Sequence, residues 1–573
     1  MLPVSGSGSR FPELKGRVLA DDVFPHTRAP VMPSSLSSRR RFLAQAGAAA
    51  LVARPSVQAA LRPAQPHGHV VGDAFSELAG AKVLADGGNA VDALVVAALV
   101  GAVTQPHQTG VGGYAAHGIV AMDGGRRIVV IDANTTAPAA ATADMFRPDA
   151  KGQVVGRRNH HGWLSAGVPG VMAGLHLALK EFGTLRFSDA LQPAIALTAG
   201  GVTVTPALAG ILGKLSAGMR ADPGSAALYL PGGVAPKAGE KWRNPALAEV
   251  LRALARAESA EPLYRGDLAL RMGESFARNG GLVTARDLAA YRARLVEPLR
   301  LEWDGRVIHT PPLTSGGITV LQTLALLRAL GWEKIEGDGP RALARVEALR
   351  LAWRDRLALL GDPDFGPVPQ ARLLSADYAG ESAERVRAAL KAGRSIDHRL
   401  KNTPQGGTLS FSAGDRHGNM AALTLTHGDS FGAQVTVGEL GLTLGHGMSR
   451  FETDFAHPNA PGPGKRPLHN MAPVILTAGG KAIAAVGGRG GRRIPNAVLD
   501  LLLAHVVERR PFAEALAAPR LHTEGALAVE HEKGWPAAAT SAWRTAGLAV
   551  KTGSSATLSA VAMEDGAWRA GMR

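Results

Sequence analysis

The feature that most constrains this chain is a pair of β-like runs facing each other across one tight turn. In Gly406-Gly407-Thr408-Leu409-Ser410-Phe411-Ser412, polar and apolar side chains alternate from Thr408 onward, the period of a strand. Asp415-Arg416-His417-Gly418 supplies turn chemistry, and Asn419-Met420-Ala421-Ala422-Leu423-Thr424-Leu425-Thr426 is the second run. Antiparallel pairing brings Thr426 near Thr408, with the register set by the turn. If the bond between Gly407 and Thr408 were cut, Thr408 would open a new chain. Its hydroxyl would then be a nucleophile and its freed amine the activating base. An α-amino group titrates at roughly 7.7–8.0, close to where a general base works best. Taken alone, the same residues also describe an ordinary hairpin with Thr408 as a strand residue.

Composition narrows the partners. The chain has 573 residues, 46% hydrophobic and 19% charged, enough apolar material for a sizeable core. It has no cysteine, so disulfides and thiolate chemistry are excluded. The net charge is +15, of which residues 1–59, with 8 basic and 3 acidic side chains, contribute +5. No block of five or six like charges and no aromatic–basic alternation appears, so no nucleic-acid partner is expected. The remaining excess suits anionic substrates. Ser38-Arg39-Arg40-Arg41-Phe42-Leu43 fits a twin-arginine export signal, followed by an apolar stretch from Ala44 to Ala53 and a cleavage site at Val57-Gln58-Ala59. That stretch is too short for a membrane span, which needs about 20 residues. The expected location is periplasmic or secreted. Residues 1–31 do not read as signal, and Met32 is the expected start.

Further along, residues 73–101 read as helix interrupted at Gly87-Gly88. Residues 118–122 and 128–131 read as buried strands around the turn Asp123-Gly124-Gly125. Residues 170–400 read as mainly helical, with a strongly amphipathic helix from Arg341 to Leu360, and residues 391–407 as a polar, accessible loop. Strands are expected at 408–426, 434–444 and 481–486, then a helix from Pro495 to Arg509. Periodicity supports an α+β class, with no internal repeat. Gly490-Gly491 falls between the apolar run Ala482–Val486 and that helix. Such a turn either exposes backbone N–H groups to developing negative charge or is simply a tight connection. It is no dinucleotide fingerprint, since the third glycine is missing. Gly428-Asp429-Ser430-Phe431-Gly432 fits a nucleophile elbow centred on Ser430, but β-like residues follow where that motif needs a helix. His160-His161, His446 and His469 lack a helical i, i+4 pair or a carboxylate at ligand spacing, so surface or loop positions and no metal are expected.

Longer motifs carry a resemblance from about Asp73 to near the C-terminus. They are Gly87-Gly88-Asn89-Ala90-Val91-Asp92-Ala93, Gln105-Pro106-His107, Gly110-Val111-Gly112-Gly113, Val168-Pro169-Gly170, Pro311-Pro312 with Ser315-Gly316-Gly317, Asp355-Arg356, and Leu360-Gly361-Asp362-Pro363-Asp364-Phe365. After Thr408 come Lys465-Arg466-Pro467-Leu468, Gly490-Gly491 and Ala518-Pro519-Arg520. Together they resemble the γ-glutamyltransferase (γ-glutamyltranspeptidase, glutathione hydrolase) family of N-terminal-nucleophile hydrolases, made as one precursor that cuts itself into two subunits. The resemblance implies a four-layer αββα sandwich and an organisation into residues 1–59 (extension and signal), 60–407 (large subunit) and 408–573 (small subunit), interlocked as one domain. It implies Thr408 as the catalytic nucleophile, Thr426 as its hydrogen-bonding partner, Gly490 and Gly491 as the oxyanion hole, and autocleavage between Gly407 and Thr408. It implies a small-molecule amide substrate, water or an amine as acceptor, and no cofactor.

The departures from the family pattern fall on substrate recognition. Where the family places an arginine for the glutamyl carboxylate, this chain has Asn134; where it holds the amino group with polar and acidic side chains, Gly428, Gly447 and Arg450 stand. A serine pair is replaced by His469-Asn470, and the threonine after the nucleophile by Leu409. The expected substrate is therefore an amide other than ordinary glutathione, longer, more anionic or acyl-type. Arg489, Arg492 and Arg493 are read as solvated. Two other functions fit fewer features: an α/β-hydrolase using Ser430, and a non-catalytic binding homologue.

Overall fold

The computed structural model describes Arg62, residues 65–397 and residues 407–573. The twin-arginine segment and the run 398–406 lie outside the described residues. In chain order the strands of the two main sheets are β1 (Gly68–Val71), β2 (Ala115–Met122), β3 (Arg127–Ala133), β4 (Arg294–Val296), β5 (Leu299–Trp303), β6 (Arg306–Thr310), β7 (Thr408–Asp415), β8 (Met420–Thr426), β9 (Val474–Ala478), β10 (Lys481–Arg489), β11 (Thr557–Glu564) and β12 (Ala567–Met572). The first sheet has the order β1-β7-β8-β2-β3-β4 and the second β12-β11-β10-β9-β6-β5. Every pairing within them is antiparallel.

Alternation along the strands builds the layers. Leu409, Phe411, Ala413, Leu423 and Leu425 point outward into a core shared with the helices α1 (Ala74–Ala85), α2 (Ala90–Thr104) and α3 (Val171–Phe182). Val71, Ile119, Met420 and Ala422 point the other way and meet Ile475, Ala485 and Val561 of the second sheet. The outer face of that sheet, through Ile308, Val474, Val486 and Leu558, packs on α4 (Gly317–Leu330) and α6 (Arg493–Leu502), and α5 (Asp338–Leu359) packs in turn on α4. The result is the four-layer αββα sandwich that the family resemblance implied. Strands from both sides of Gly407 share both sheets, with β7 and β8 in the middle of the first, between β1 and β2.

Local chemistry explains the helix starts. Asn89 caps α2 by accepting from Val91 and Asp92 N–H, and Asp92 returns a bond to Asn89 N–H at 2.9 Å. Gly87, at φ +99°, makes the break between α1 and α2 that the glycine pair predicted. Three expectations need correction. The helix α5 is not amphipathic: it is enclosed by α4 and the segments Ala376–Ala392 and Ala537–Thr545, so Glu347 and Arg350 are buried and paired with each other at 2.8 Å. The expected strand at 434–444 shrinks to two short paired segments, Thr436–Val437 and Leu442–Thr443, around a 3₁₀ turn. The expected helix 495–509 ends as an α-helix at Leu502 and finishes in a π-turn, Leu503–Val507. No helix among the described residues is long and apolar enough to cross a membrane.

Candidate active site

Hairpin register sets Thr408 directly opposite Thr426, with Ala115 of β2 on the far side of Thr426. The side chains of Thr408, Ser410 and Thr424 lie on the face turned to the second sheet, where Ser410 meets Ser559 at 3.0 Å. Thr426 is a hub. Its hydroxyl donates to the Gly407 carbonyl at 2.6 Å and accepts from Gly428 N–H at 2.7 Å. Thr408 Oγ1 lies 3.2 Å away. A hydroxyl has one proton, and Thr426 has committed its own to Gly407. The Thr408 hydroxyl is therefore the donor in that pair. Gly407 sits at φ +81°, and a side chain there would run into the backbone of Asp429. Both conditions select glycine.

The second sheet brings up the glycine turn. Ala482 and Ala485 of β10 lie against Met420 and Ala422, Gly487 against Ser410, and the Gly488 carbonyl 3.4 Å from Thr424 Oγ1. Both series run toward Thr426, so Gly490 and Gly491, which follow β10, fall at the Thr408 end of the hairpin. Their carbonyls accept from Arg493 and Ile494 N–H at 3.2 and 3.1 Å as α6 begins, and neither glycine's N–H has a protein acceptor among the described residues. Arg492 pairs with Glu524 and Arg493 with Glu530, each at 2.9 Å, while half-buried Arg489 lies 3.4 Å from Gln108 Oε1. Each of the three arginines thus has a protein partner and is only partly exposed, where the sequence suggested solvation.

The quoted motifs converge behind the hairpin. Gln108 and His107 carbonyls accept from His427 and Phe431 N–H at 3.0 and 2.9 Å, fixing the loop that leaves β8. Tyr114 N–H donates to the Thr426 carbonyl at 3.0 Å. Buried Arg356 donates to the Ser315 and His469 carbonyls, and Asp362 accepts from Arg466 N–H at 2.7 Å.

The expected recognition residues gather in one region beside Thr426. Gly428, at φ +106°, lies so close to the His446 ring and Arg450 that any side chain would collide with them. Arg450 Nη2 is 3.2 Å from His446 Nε2, its guanidinium carbon lies 5.9 Å from the Tyr114 ring centre, and its buried Nε has no protein partner. Asn134 is fully buried. Its amide donates to Thr314 Oγ1 and the Pro467 carbonyl at 2.8 and 2.7 Å, leaving Oδ1 without a partner. His469 is buried too, bonded through its N–H to the Thr314 carbonyl at 3.0 Å, with its ring 4.6 Å from that of His117. The neighbouring Asn470 places its carbonyl against Gly316.

Sequence reasoning missed His117. It stands at one register level of a polar row crossing five strands: Ser410, Thr424, His117, Asp132, Arg294. Asp132 Oδ1 is 3.5 Å from His117 Nδ1, and Arg294 donates to Asp132 at 2.7 Å. Burial, then the neighbouring His117, drives His469 well below its usual range, so both face the site as neutral imidazoles. A polar residue at an inward strand position was the available signal.

One further expectation is corrected, and the reading of Ser430 as lacking its helix holds. His446 and His469 lie on loops, one of the two placements expected, but are buried, and His160, His446 and Asp429 come together. Ser430 lies on a loop, and Phe431 (φ +60°) turns the chain toward Thr436–Val437 with no helix following, so the elbow geometry is absent.

Comparison with known proteins agrees with this architecture. The fold matches the crystal structure of cephalosporin acylase from Bacillus halodurans with a TM-score of 0.80 at 24% identity, covering 91% of this chain and 96% of that one. The family model and curated relatives that follow make this chain an amide-cleaving enzyme of the N-terminal-nucleophile hydrolase type. A family model described as Gamma-glutamyltranspeptidase matches residues 76–572. The acylase ACY 1 proenzyme of Pseudomonas sp. (strain V22) is 35% identical over 464 residues, covering 79% of this chain and 82% of that protein. The glutathione hydrolase proenzyme of Escherichia coli (strain K12) is 33% identical over 465 residues, covering 78% and 80%. The chain belongs to the gamma-glutamyltranspeptidase family.

Proposed function

We propose that this enzyme matures by cutting itself between Gly407 and Thr408 and then cleaves an amide through an acyl-enzyme on Thr408. The observation that carries this reading is the Thr426 hub, which polarises the Gly407 carbonyl and holds the Thr408 hydroxyl in one arrangement. In maturation the Thr408 oxygen attacks the Gly407 carbonyl carbon, the peptide becomes an ester as the nitrogen leaves, and water hydrolyses that ester. The released α-amine then takes the hydroxyl proton when Thr408 attacks an external amide. Gly490 and Gly491 N–H groups stabilise the oxyanion, a contribution of about 3–4 kcal/mol per donor in comparable sites. The acyl group passes to water or to an amine. Residues 60–407 and 408–573 become large and small subunits, and residues 1–59 direct twin-arginine export to the periplasm or beyond.

The substrate is an amide whose acyl end lacks the ammonium of a γ-glutamyl group and carries an anion. Arg450, with an unpaired buried Nε beside neutral His446, supports this. An ammonium facing a guanidinium costs on the order of 1–4 kcal/mol. On a denaturing gel, purified protein is expected to run as two bands, Thr408→Ala as one, and Ser430→Ala as two. A single uncut band from active wild-type protein contradicts the reading, and an uncut, inactive one indicates a binding homologue. Glutaryl-p-nitroanilide should be turned over at least tenfold faster than γ-glutamyl-p-nitroanilide, about 1.4 kcal/mol; the reverse order contradicts the substrate assignment.

A further inference from the structure

His160, Asp429 and His446 are far apart in the chain, yet each offers a donor atom within 4.8 Å of the other two. His446 is fully buried, and its Nδ1 lies 3.0 Å from the His160 carbonyl oxygen. A carbonyl only accepts, so Nδ1 carries the proton and Nε2 keeps a free lone pair. That Nε2 is 3.8 Å from Asp429 Oδ2. Metal-bound histidines are commonly oriented in this way, the second ring nitrogen donating to a backbone carbonyl. The His160 ring meets that of His446 edge-on, with centres 5.7 Å apart, and its Nδ1 is buried without a partner among the described residues. Two imidazoles and a carboxylate form a donor set suited to Zn²⁺.

A competing cation is already present. Arg450 Nη2 sits 3.2 Å from the same His446 Nε2. One lone pair cannot serve a guanidinium and a dication at once, so the two exclude each other. The site also touches the reacting hairpin: Gly428, held by Thr426, abuts the His446 ring, and the Asp429 backbone packs on Gly407. If Arg450 holds the anionic acyl end as proposed above, an ion here would occupy that end of the site.

We propose that His160, Asp429 and His446 form a transition-metal site of the Zn²⁺ class that competes with Arg450 for His446, and that filling it blocks the acyl pocket. Metal binding does not depend on the assigned role of Thr408; only the block of turnover does.

Calorimetric titration of chelator-treated full-length protein with ZnCl₂, with MgCl₂ as control, tests this. We expect one Zn²⁺ per chain and no Mg²⁺ response. Affinity should rise about tenfold in Arg450→Ala and fall at least tenfold in Asp429→Asn and His446→Gln, the range associated with removing metal-supporting groups. Binding that becomes measurable only in Arg450→Ala also supports the proposal. Circular dichroism melts establish that each variant is folded. Should Arg450→Ala not fold, Arg450→Met takes its place, and Co²⁺ added to wild type should give visible absorption that Asp429→Asn lacks. Equal affinity with and without Arg450, unchanged affinity in Asp429→Asn and His446→Gln, or no Zn²⁺ binding by a folded Arg450 variant overturns it. Loss of Zn²⁺ inhibition with binding intact would count against the block alone.

Discussion

At the scale of single residues, the chemistry turns on one hydroxyl. Thr426 Oγ1 serves Gly407, Gly428 and Thr408 at once. Thr426→Val keeps the shape and removes all three bonds. With about 1–3 kcal/mol at stake for such a buried group, self-cleavage is expected to slow roughly 10–100-fold, measured as the rate at which two bands replace one on a gel. Glycines differ in the same measurable way. Gly428→Ala places a methyl against the His446 ring at positive φ and is expected to cost about 1–3 kcal/mol in denaturant unfolding. Gly210→Ala lies on an exposed helix with open space around it and is expected to stabilise by about 0.5–1 kcal/mol. Thr408 and Thr426 were legible in the sequence because a hairpin is local, with only 18 residues separating them. His160, Asp429 and His446 were not, since three separate loops bring them together and no spacing rule reaches that far.

At the scale of elements, the helices around the two sheets were mostly readable, and the exceptions have physical causes. Residues 294–310 were absorbed into a helical region although they form β4, β5 and β6. All three are short, β4 and β5 are edge strands, and the side chains Leu299, Arg300, Leu301 and Glu302 alternate too briefly to stand out. The helix α5 was read as amphipathic because its charges were assumed to be solvated. Instead Glu347 and Arg350 pair internally, and Arg356 reaches the carbonyls of Ser315 and His469. That arginine joins a helix of the expected large subunit to a loop of the small one. Arg356→Lys cannot span both carbonyls, and the lost charged hydrogen bond is expected to lower stability by about 1.5–3 kcal/mol in urea unfolding.

At the scale of the whole molecule, the layered fold was legible through family motifs far more than through periodicity. Periodicity finds strands but cannot say which sheets stack. The position of Gly490-Gly491 over the hairpin is a consequence of that stacking. Burial on both sides of the first sheet also sets an acid limit. Burial, then Arg489, holds His107 near pKa 4, and burial, then His107, holds His427 near 3, against 6.5 for an unperturbed histidine. Between those values and 6.5 the unfolded chain binds the extra protons, so stability is full above pH 6.5 and falls as pH drops toward 4 and then 3. Each histidine contributes at most about 1.4 kcal/mol per pH unit across its window. Melting temperature is expected to fall steadily from pH 7 to pH 4, and His107→Gln should flatten the fall; a flat profile in wild type would show that these rings find protons inside the fold.

The most direct test of self-processing on Thr408 is intact-mass spectrometry with N-terminal sequencing of active enzyme. The account predicts a fragment spanning residues 408–573 that begins Thr-Leu-Ser-Phe. Active protein that yields only an unbroken chain, or a new terminus at any other residue, would contradict it.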